Sequence, residues 1–326
     1  MTDPEWQVEQ GIGEDRALLM HNDAILAARM SWPTGLAAGL IADALLISRH
    51  RGAKRGTMRF DNGQEALVDA LPADACEGAK LRVKVTRAAL SETGRFKRAQ
   101  CRPTIDAPCS APNLADSLRS DGGSVRVVRR LPASAWEDIF AQGWSGQCDF
   151  AGGALTISPT PAMSVIDIYG TLPPPALALA AVPALASALR QLDLAGNIGI
   201  DFPTLAEKTQ RRAVDAALTS ALDDWPHEQT AMNGFGFVQL VARLERPSIL
   251  HLIAQNRPAA AARFVLRQAE AVEGAGAILI TAHPDVTQAI LPAWQDELAR
   301  RTGRIIRIAP DNNLALDGGF AQSVPL

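Results

Sequence analysis

Two short apolar runs in the middle of the chain each carry one aspartate, and a helix-forming segment separates them. The runs cover residues 164–168 and 197–202, and the aspartates are Asp167 and Asp201. A strand, a crossover helix and a second strand normally make two neighbouring parallel strands. The pattern therefore predicts that both carboxylates project from one edge of a sheet, where a single Mg²⁺ ion would bridge them.

Spacing alone leaves a second interpretation of these aspartates open. Carboxylates at strand ends also cap the helices that follow, or accept hydrogen bonds from loop N–H groups. That role would be structural and would need no metal.

Length and composition are those of an ordinary globular protein. The chain has 326 residues, 47% hydrophobic and 21% charged, which is enough for two or three domains with their own cores. It has no apolar run of about eighteen residues, and its acidic start lacks the basic and apolar parts of a secretory signal. We therefore expect a cytoplasmic protein with no membrane partner.

The four cysteines point to free thiols. Cys76, Cys101, Cys109 and Cys148 show no Cys-x-x-Cys spacing and have no histidine nearby in the sequence. This pattern suggests neither a zinc site nor a disulfide framework.

Charge is distributed unevenly along the chain. Residues 49–102 contain thirteen Lys or Arg and six Asp or Glu, a balance of +7, so the net charge of −3 leaves −10 for the remainder. A local basic field suits a phosphate backbone, although a single basic cluster is also typical of a solvated surface. The same region has four short strand-like runs with a turn at Asp61-Asn62-Gly63, which predicts a small barrel.

Alternating patterns predict most of the remaining elements. Residues 102–123 are rich in turn-forming residues and are expected to be a connection. Further strands are expected at 124–128, 153–158, 235–244, 277–282 and 304–308, and helices at 133–142, 173–192, 205–222, 259–272 and 284–301.

Two stretches resemble the aspartate motifs in the catalytic core of the ribonuclease E/G family. They are TPAMSVID at 160–167 and LRQLDLAGNIGIDF at 189–202, and residues 233–240 are similar to a later strand of that core. The resemblance implies an α/β multi-domain fold that ends in a DNase-I-like nuclease core and a small α/β domain. An OB-type barrel would be inserted in a reduced ribonuclease-H-like domain. The expected bounds are 1–36 with 103–160 for the ribonuclease-H-like domain, 37–102 for the barrel, 161–250 for the core and 251–326 for the small domain.

The resemblance also implies a function. The expected activity is hydrolysis of single-stranded RNA, with Mg²⁺ or Mn²⁺ held by Asp167 and Asp201. The family's sensor domain for an RNA 5′-monophosphate and its zinc link have no counterpart here, so we expect cleavage that ignores the 5′ end, and no zinc. A homodimer through the nuclease core would be in keeping with the family.

Departures from the family pattern keep a second function open. Tyr169 replaces an active-site asparagine and is counted as the third catalytic candidate, although it lacks an amide carbonyl. Gly234 and Gln239 replace an arginine and a glutamate. The alternative is therefore a catalytically degenerate RNA-binding protein of the same fold.

The expected RNA contacts are basic side chains. Each of them has the alternative of being an exposed solubilising residue. They are Lys54, Arg55, Arg59, Lys97 and Arg98 in the barrel, and Arg211 and Arg212 on the helix that follows Asp201.

Overall fold

The chain folds as a mixed α/β protein that contains a closed five-stranded barrel. The computed structural model describes residues 3–32, 35–92 and 95–326. Three antiparallel strands open the chain: β1 (Glu5–Gln10), β2 (Asp15–His21) and β3 (Ala24–Ser31). Among the described helices, none is both long and apolar enough to cross a membrane.

The barrel follows, and the alternation of apolar residues predicted four of its five strands. Its elements are β4 (Ile41–Arg49), β5 (Arg55–Arg59), β6 (Glu65–Asp69), β7 (Lys80–Arg87), the hairpin β8 (Leu90–Glu92) and β9 (Arg95–Lys97), and β10 (Ala99–Pro103). The strands close in the order β10-β6-β5-β4-β7. Only β6 and β10 pair in parallel; the other barrel pairs are antiparallel. Inward-facing side chains such as Leu46, Met58 and Val83 fill the barrel.

After the barrel the chain returns to its first sheet. The elements are α1 (Leu114–Ser120), β11 (Val125–Val128) and α2 (Ala133–Ser145). β11 pairs in parallel with β1 and completes a sheet in the order β11-β1-β2-β3. The expected connection at 102–123 thus contains a helix, whose Asn113 side chain accepts the N–H of Asp116 and caps it.

A six-stranded sheet forms the centre of the molecule. Its elements are β12 (Gln147–Phe150), β13 (Gly153–Pro159), β14 (Ser164–Gly170), α3 (Pro174–Gln191), β15 (Gly196–Asp201), α4 (Lys208–Ala221), β16 (His227–Gln229) and β17 (Phe237–Ala242). The order is β12-β13-β14-β15-β17-β16, and only β14 and β15 pair in parallel. β12 and β13, which precede residue 160, thus belong to the same sheet as β14 and β15.

The C-terminal unit is a small α/β layer. Its elements are α5 (Ile249–Gln255), α6 (Arg257–Glu270), β18 (Ala277–Ala282), α7 (Pro284–Ala289), α8 (Pro292–Thr302), β19 (Ile306–Pro310) and β20 (Phe320–Val324). The single helix expected over 284–301 is wrong, because it is interrupted at residues 290–291. Leu291 has an extended backbone with ψ of 146°, since the residue before a proline is disfavoured in the helical region.

A buried ionic cluster joins the first sheet to the C-terminal unit. Glu9 accepts from Arg16 at 2.6 Å and from Arg267 of α6 at 3.1 Å, and Arg16 also pairs with Glu14 at 2.5 Å. These side chains are at most 5% exposed. The two ends of the chain are therefore held together by charge as well as by apolar packing.

Candidate active site

Asp167 and Asp201 lie side by side on adjacent parallel strands. They are register partners in the pairing of β14 with β15, so their Cα atoms are about 4.8 Å apart across the sheet. Their neighbours Ile166 and Ile200 are fully buried beneath α3 and α4. Since side chains alternate between the two faces of a strand, both carboxylates project from the open face, where both residues are exposed.

The structure does not use these carboxylates as helix caps. The residue at the N-cap of α3 is Pro173 and that of α4 is Glu207, and neither cap has a side-chain hydrogen bond. Within the described residues, no hydrogen bond or ion pair involves the side chain of Asp167 or Asp201. The two aspartates therefore neither cap a helix nor accept a hydrogen bond from a loop within the described residues. Their carboxylate oxygens are available to a ligand.

The donor chemistry of this pair fits a hard cation. Mg²⁺ is held by one or two carboxylates and keeps several waters, and two exposed, unpartnered carboxylates meet that requirement. No larger group of three or more His, Cys, Asp or Glu placed to hold a metal occurs in the described part of the chain. Burial raises the pKa of the Cys101 thiol to about 12 and that of Cys148 to about 11, so neither offers a thiolate at neutral pH.

Tyr169 lies on the same face, two residues beyond Asp167. Its hydroxyl accepts a hydrogen bond from Gln147 Nε2 at 2.9 Å, and the same amide nitrogen donates to Asp149 Oδ1 at 3.3 Å. The residue opposite Tyr169 on β13 is the small Ala154, which leaves room for the side chains of Gln147 and Tyr169 to meet. The Tyr169 hydroxyl is thus engaged on the β12 side of the sheet, away from Asp201.

A turn stabilised by Asn233 leads into the strand that neighbours Asp201. Phe237, the first residue of β17, is the register partner of Asp201. In the turn that precedes it, Asn233 Oδ1 accepts from the N–H groups of Phe235 at 2.8 Å and Phe237 at 3.1 Å. Gly236 has a φ of +93°, a conformation that favours glycine. Phe235 is held at the tip of this turn and is 83% exposed.

Sequence reasoning did not single out Phe235 as a site residue. It placed Phe235 inside the strand expected at 235–244, whereas β17 begins at Phe237. The sequence does indicate a turn at this position, because Asn233, Gly234 and Gly236 are turn-forming residues.

The two arginines expected beside the metal differ in their surroundings. Arg211 Nη1 donates to the carbonyl oxygens of Leu205 at 2.5 Å and Ala206 at 2.9 Å, so it holds the loop that leads into α4. Arg212 is exposed, and no partner for its side chain occurs within the described ranges. Of the pair, Arg212 is the better placed to meet an external anion.

Most of the predicted basic contacts in the barrel are paired with acidic neighbours. Arg55 binds Asp69 at 2.8 Å, and Glu65 binds both Arg59 at 3.3 Å and Arg98 at 3.2 Å. Exposed ion pairs of this kind contribute little to stability.

The remaining two residues of this set are lysines. Lys54 is exposed in the loop between β4 and β5, and Lys97 lines a cavity between the barrel and the six-stranded sheet.

No match was found in comparisons of the chain with models of protein families or with curated proteins.

Proposed function

We propose that this protein is a Mg²⁺-dependent endoribonuclease that hydrolyses single-stranded RNA without regard to a 5′-monophosphate. The observation that carries the proposal is the register pairing of Asp167 with Asp201 on an open sheet face, with no competing protein partner among the described residues. The resemblance of residues 160–167 and 189–202 to the ribonuclease E/G motifs supports the same assignment.

The barrel supports RNA as the substrate. We number the barrel strands β4, β5, β6, β7 and β10 as 1 to 5 along the chain. They close in the order 1-2-3-5-4 with strands 3 and 5 parallel, and this order supports the proposal of an OB-type barrel. OB-type barrels bind oligonucleotides on strands 2 and 3 and on the loops between strands 1 and 2 and between strands 4 and 5. Here those parts carry the expected basic contacts, which are Lys54, Arg55, Arg59, Lys97 and Arg98.

The candidate residues have separable roles in this proposal. Asp167 and Asp201 would hold Mg²⁺, which supplies charge stabilisation at the phosphate and a bound water of lowered pKa. Phe235 and the ring of Tyr169 offer surfaces on which bases stack. Arg212, which is exposed on α4, would supply positive charge for the RNA backbone.

A cleavage assay tests the proposal. Purified protein is incubated with an unstructured A/U-rich RNA that carries either a 5′-hydroxyl or a 5′-monophosphate, with and without Mg²⁺. We expect Mg²⁺-dependent cleavage at equal rates on both RNAs. Asp201→Asn should lower the rate by about 100-fold or more, since even outer groups of a metal site contribute 10- to 100-fold. Asp223→Asn, an exposed aspartate after α4, is the matched control.

The second candidate is an RNA-binding protein that has lost catalysis. The engagement of the Tyr169 hydroxyl by Gln147 favours it, as does the neutral amide of Gln239 on β17, whose register partner is Gly199. If RNA binds in a salt-dependent manner but stays intact in Mg²⁺, and Asp201→Asn changes nothing, this second function replaces the first.

A further inference from the structure

A row of neighbouring side chains crosses the six-stranded sheet at the level of the aspartate pair. Thr156 of β13 is the register partner of Asp167, just as Asp201 of β15 is its partner on the other side. Gln147 of β12 pairs with Thr156 in turn, and Phe237 of β17 pairs with Asp201. Register partners on neighbouring strands point to the same face of a sheet. The open face therefore carries, in this order, Gln147, Thr156, Asp167, Asp201 and Phe237.

The burial pattern of β13 also places Thr156 on the open face. Its neighbours Leu155 and Ile157 are at most 3% exposed and belong to the core beneath the sheet, whereas Thr156 is half-buried. Directly opposite residues on antiparallel strands have Cβ atoms about 4.5–5.5 Å apart. The side chain of Thr156 therefore lies beside that of Asp167.

The hydroxyl of Thr156 is not engaged by the protein. No hydrogen bond of this side chain occurs within the described ranges. The amide nitrogen of Gln147, the next residue of the row, already donates to the Tyr169 hydroxyl at 2.9 Å and to Asp149 Oδ1 at 3.3 Å. A hydroxyl can both donate and accept, so Thr156 offers both functions next to Asp167.

The opposite end of the row is apolar. The ring of Phe237 lies over Gly199, where an added Cβ would come within 2.6 Å of its Cζ atom, and Met163 Sδ would be 2.9 Å from the same Cβ. Neither a phenyl ring nor a thioether donates a hydrogen bond. Of the residues that flank the aspartates in the row, Thr156 is thus the one that offers a hydroxyl.

We propose that Thr156 is a positioning residue for a divalent cation held by the aspartate pair. The inference rests on the proposed function, because that function requires Asp167 and Asp201 to bind the cation. Groups that hydrogen-bond the ligands of a metal orient them and contribute about 10- to 100-fold to affinity or activity. A Mg²⁺ ion held by two carboxylates also keeps several waters. Thr156 supplies a hydrogen bond from β13, to the Asp167 carboxylate or to one of these waters.

Titration of the whole protein with Mn²⁺ in the absence of RNA tests the inference without measuring cleavage. Electron paramagnetic resonance detects the Mn²⁺ that stays free in solution and so gives a dissociation constant. We expect one site per chain, which Asp201→Asn removes. Thr156→Val replaces the hydroxyl by a methyl group and should weaken Mn²⁺ binding by about three- to tenfold, as expected for the loss of one neutral hydrogen bond.

Two further variants separate the hydroxyl from the packing of the side chain. Thr156→Ser keeps the hydroxyl and should bind Mn²⁺ within about twofold of the original protein, a change smaller than the contribution of one hydrogen bond. Ser158→Ala removes a hydroxyl from the same strand and face, but the register partner of Ser158 is Val165, so Mn²⁺ binding should not change. The metal-free Thr156→Val protein should melt as the original does, since valine and threonine both favour strands.

The possible results distinguish this inference from the proposed function. If Asp201→Asn removes the Mn²⁺ site but Thr156→Val leaves its affinity unchanged, the role of Thr156 is overturned and the aspartate site stands. An equal loss of affinity in Thr156→Val and Thr156→Ser, or in Thr156→Val and Ser158→Ala, also overturns the role of Thr156. Absence of Mn²⁺ binding, or binding that Asp201→Asn leaves intact, overturns both the inference and the metal site of the proposed function.

Discussion

At the scale of single residues, Tyr169 is the point where the candidate site differs most from the ribonuclease E/G motif that it resembles. Its ring is 45% exposed on the open face, but its hydroxyl accepts from Gln147. A phenol cannot supply the carbonyl acceptor of an asparagine side chain. We therefore expect Tyr169 to act through its ring, by stacking on a base beside the metal pair.

Two substitutions separate the ring from the hydroxyl. Tyr169→Phe should leave RNA affinity within about twofold, whereas Tyr169→Ala should weaken it by about tenfold, because stacking of one base on an aromatic side chain contributes about 1–3 kcal/mol. Fluorescence anisotropy with a labelled A/U-rich RNA measures both values. A loss of cleavage in Tyr169→Phe at unchanged affinity would instead assign a chemical role to the hydroxyl.

At the scale of elements, the periodicity of apolar residues predicted the helices and strands whose limits depend on local sequence. The strands β4 to β7, the crossover helix α3 and the strand β18 lie within a few residues of their expected bounds. The expected bounds are wrong where a proline or a turn-forming residue overrides the apolar periodicity. Pro292 divides the helix expected over 284–301, and Asn233 with Gly236 delays the start of β17 to Phe237.

The last turn of α8 contains an ion-pair group that makes stability depend on pH. Glu297 accepts from Arg300 at 2.7 Å and from Arg301 at 2.6 Å. The hydrogen bonds from these arginines lower the pKa of the Glu297 carboxyl from its ordinary 4.5 to about 2. A carboxyl with a lowered folded-state pKa stabilises the fold above its unfolded pKa and loses that contribution as the pH falls.

Replacement of this glutamate should therefore lower the free energy of unfolding more at neutral pH than in acid. Glu297→Gln should lower the free energy of unfolding by about 0.5 kcal/mol at pH 7, the size typical of partly exposed pairs. The difference from the original protein should narrow from pH 5 to pH 3, as measured by urea unfolding. Glu273→Gln, which is exposed in the turn after α6, is the control, and an equal effect of both substitutions at pH 7 would contradict the assignment.

At the scale of the whole molecule, the ionic cluster of Glu9, Glu14, Arg16 and Arg267 connects the first sheet to α6. Burial lowers the pKa of Arg267, and the charge of Glu9 opposes that shift. Arg267 also donates to the carbonyl oxygen of Leu131 at 3.0 Å, at the entrance to α2. Glu9 thus pairs with two buried guanidinium groups, of which Arg16 also pairs with Glu14, at the junction of three segments.

Loss of the Glu9 charge should destabilise the protein strongly. Glu9→Gln leaves two buried arginines with reduced compensation, and breaking a buried ion pair in this way costs about 3–5 kcal/mol. Chemical denaturation followed by circular dichroism measures the change. Glu228→Gln on the exposed side of β16 is the matched control, and a loss below about 1 kcal/mol for Glu9→Gln would show that the cluster is not a major connection.

The sequence by itself determined the local elements and the choice of the aspartate pair, because alternation and turn chemistry are properties of neighbouring residues. A β-strand, a helix and a second strand also imply parallel neighbours, which places Asp167 beside Asp201.

Only the tertiary structure decided which side chains are hydrogen-bonded or ion-paired. It ties Tyr169 to Gln147 and pairs three barrel arginines with acidic partners. These contacts join side chains of different strands and loops, and local sequence patterns do not determine which of those side chains meet.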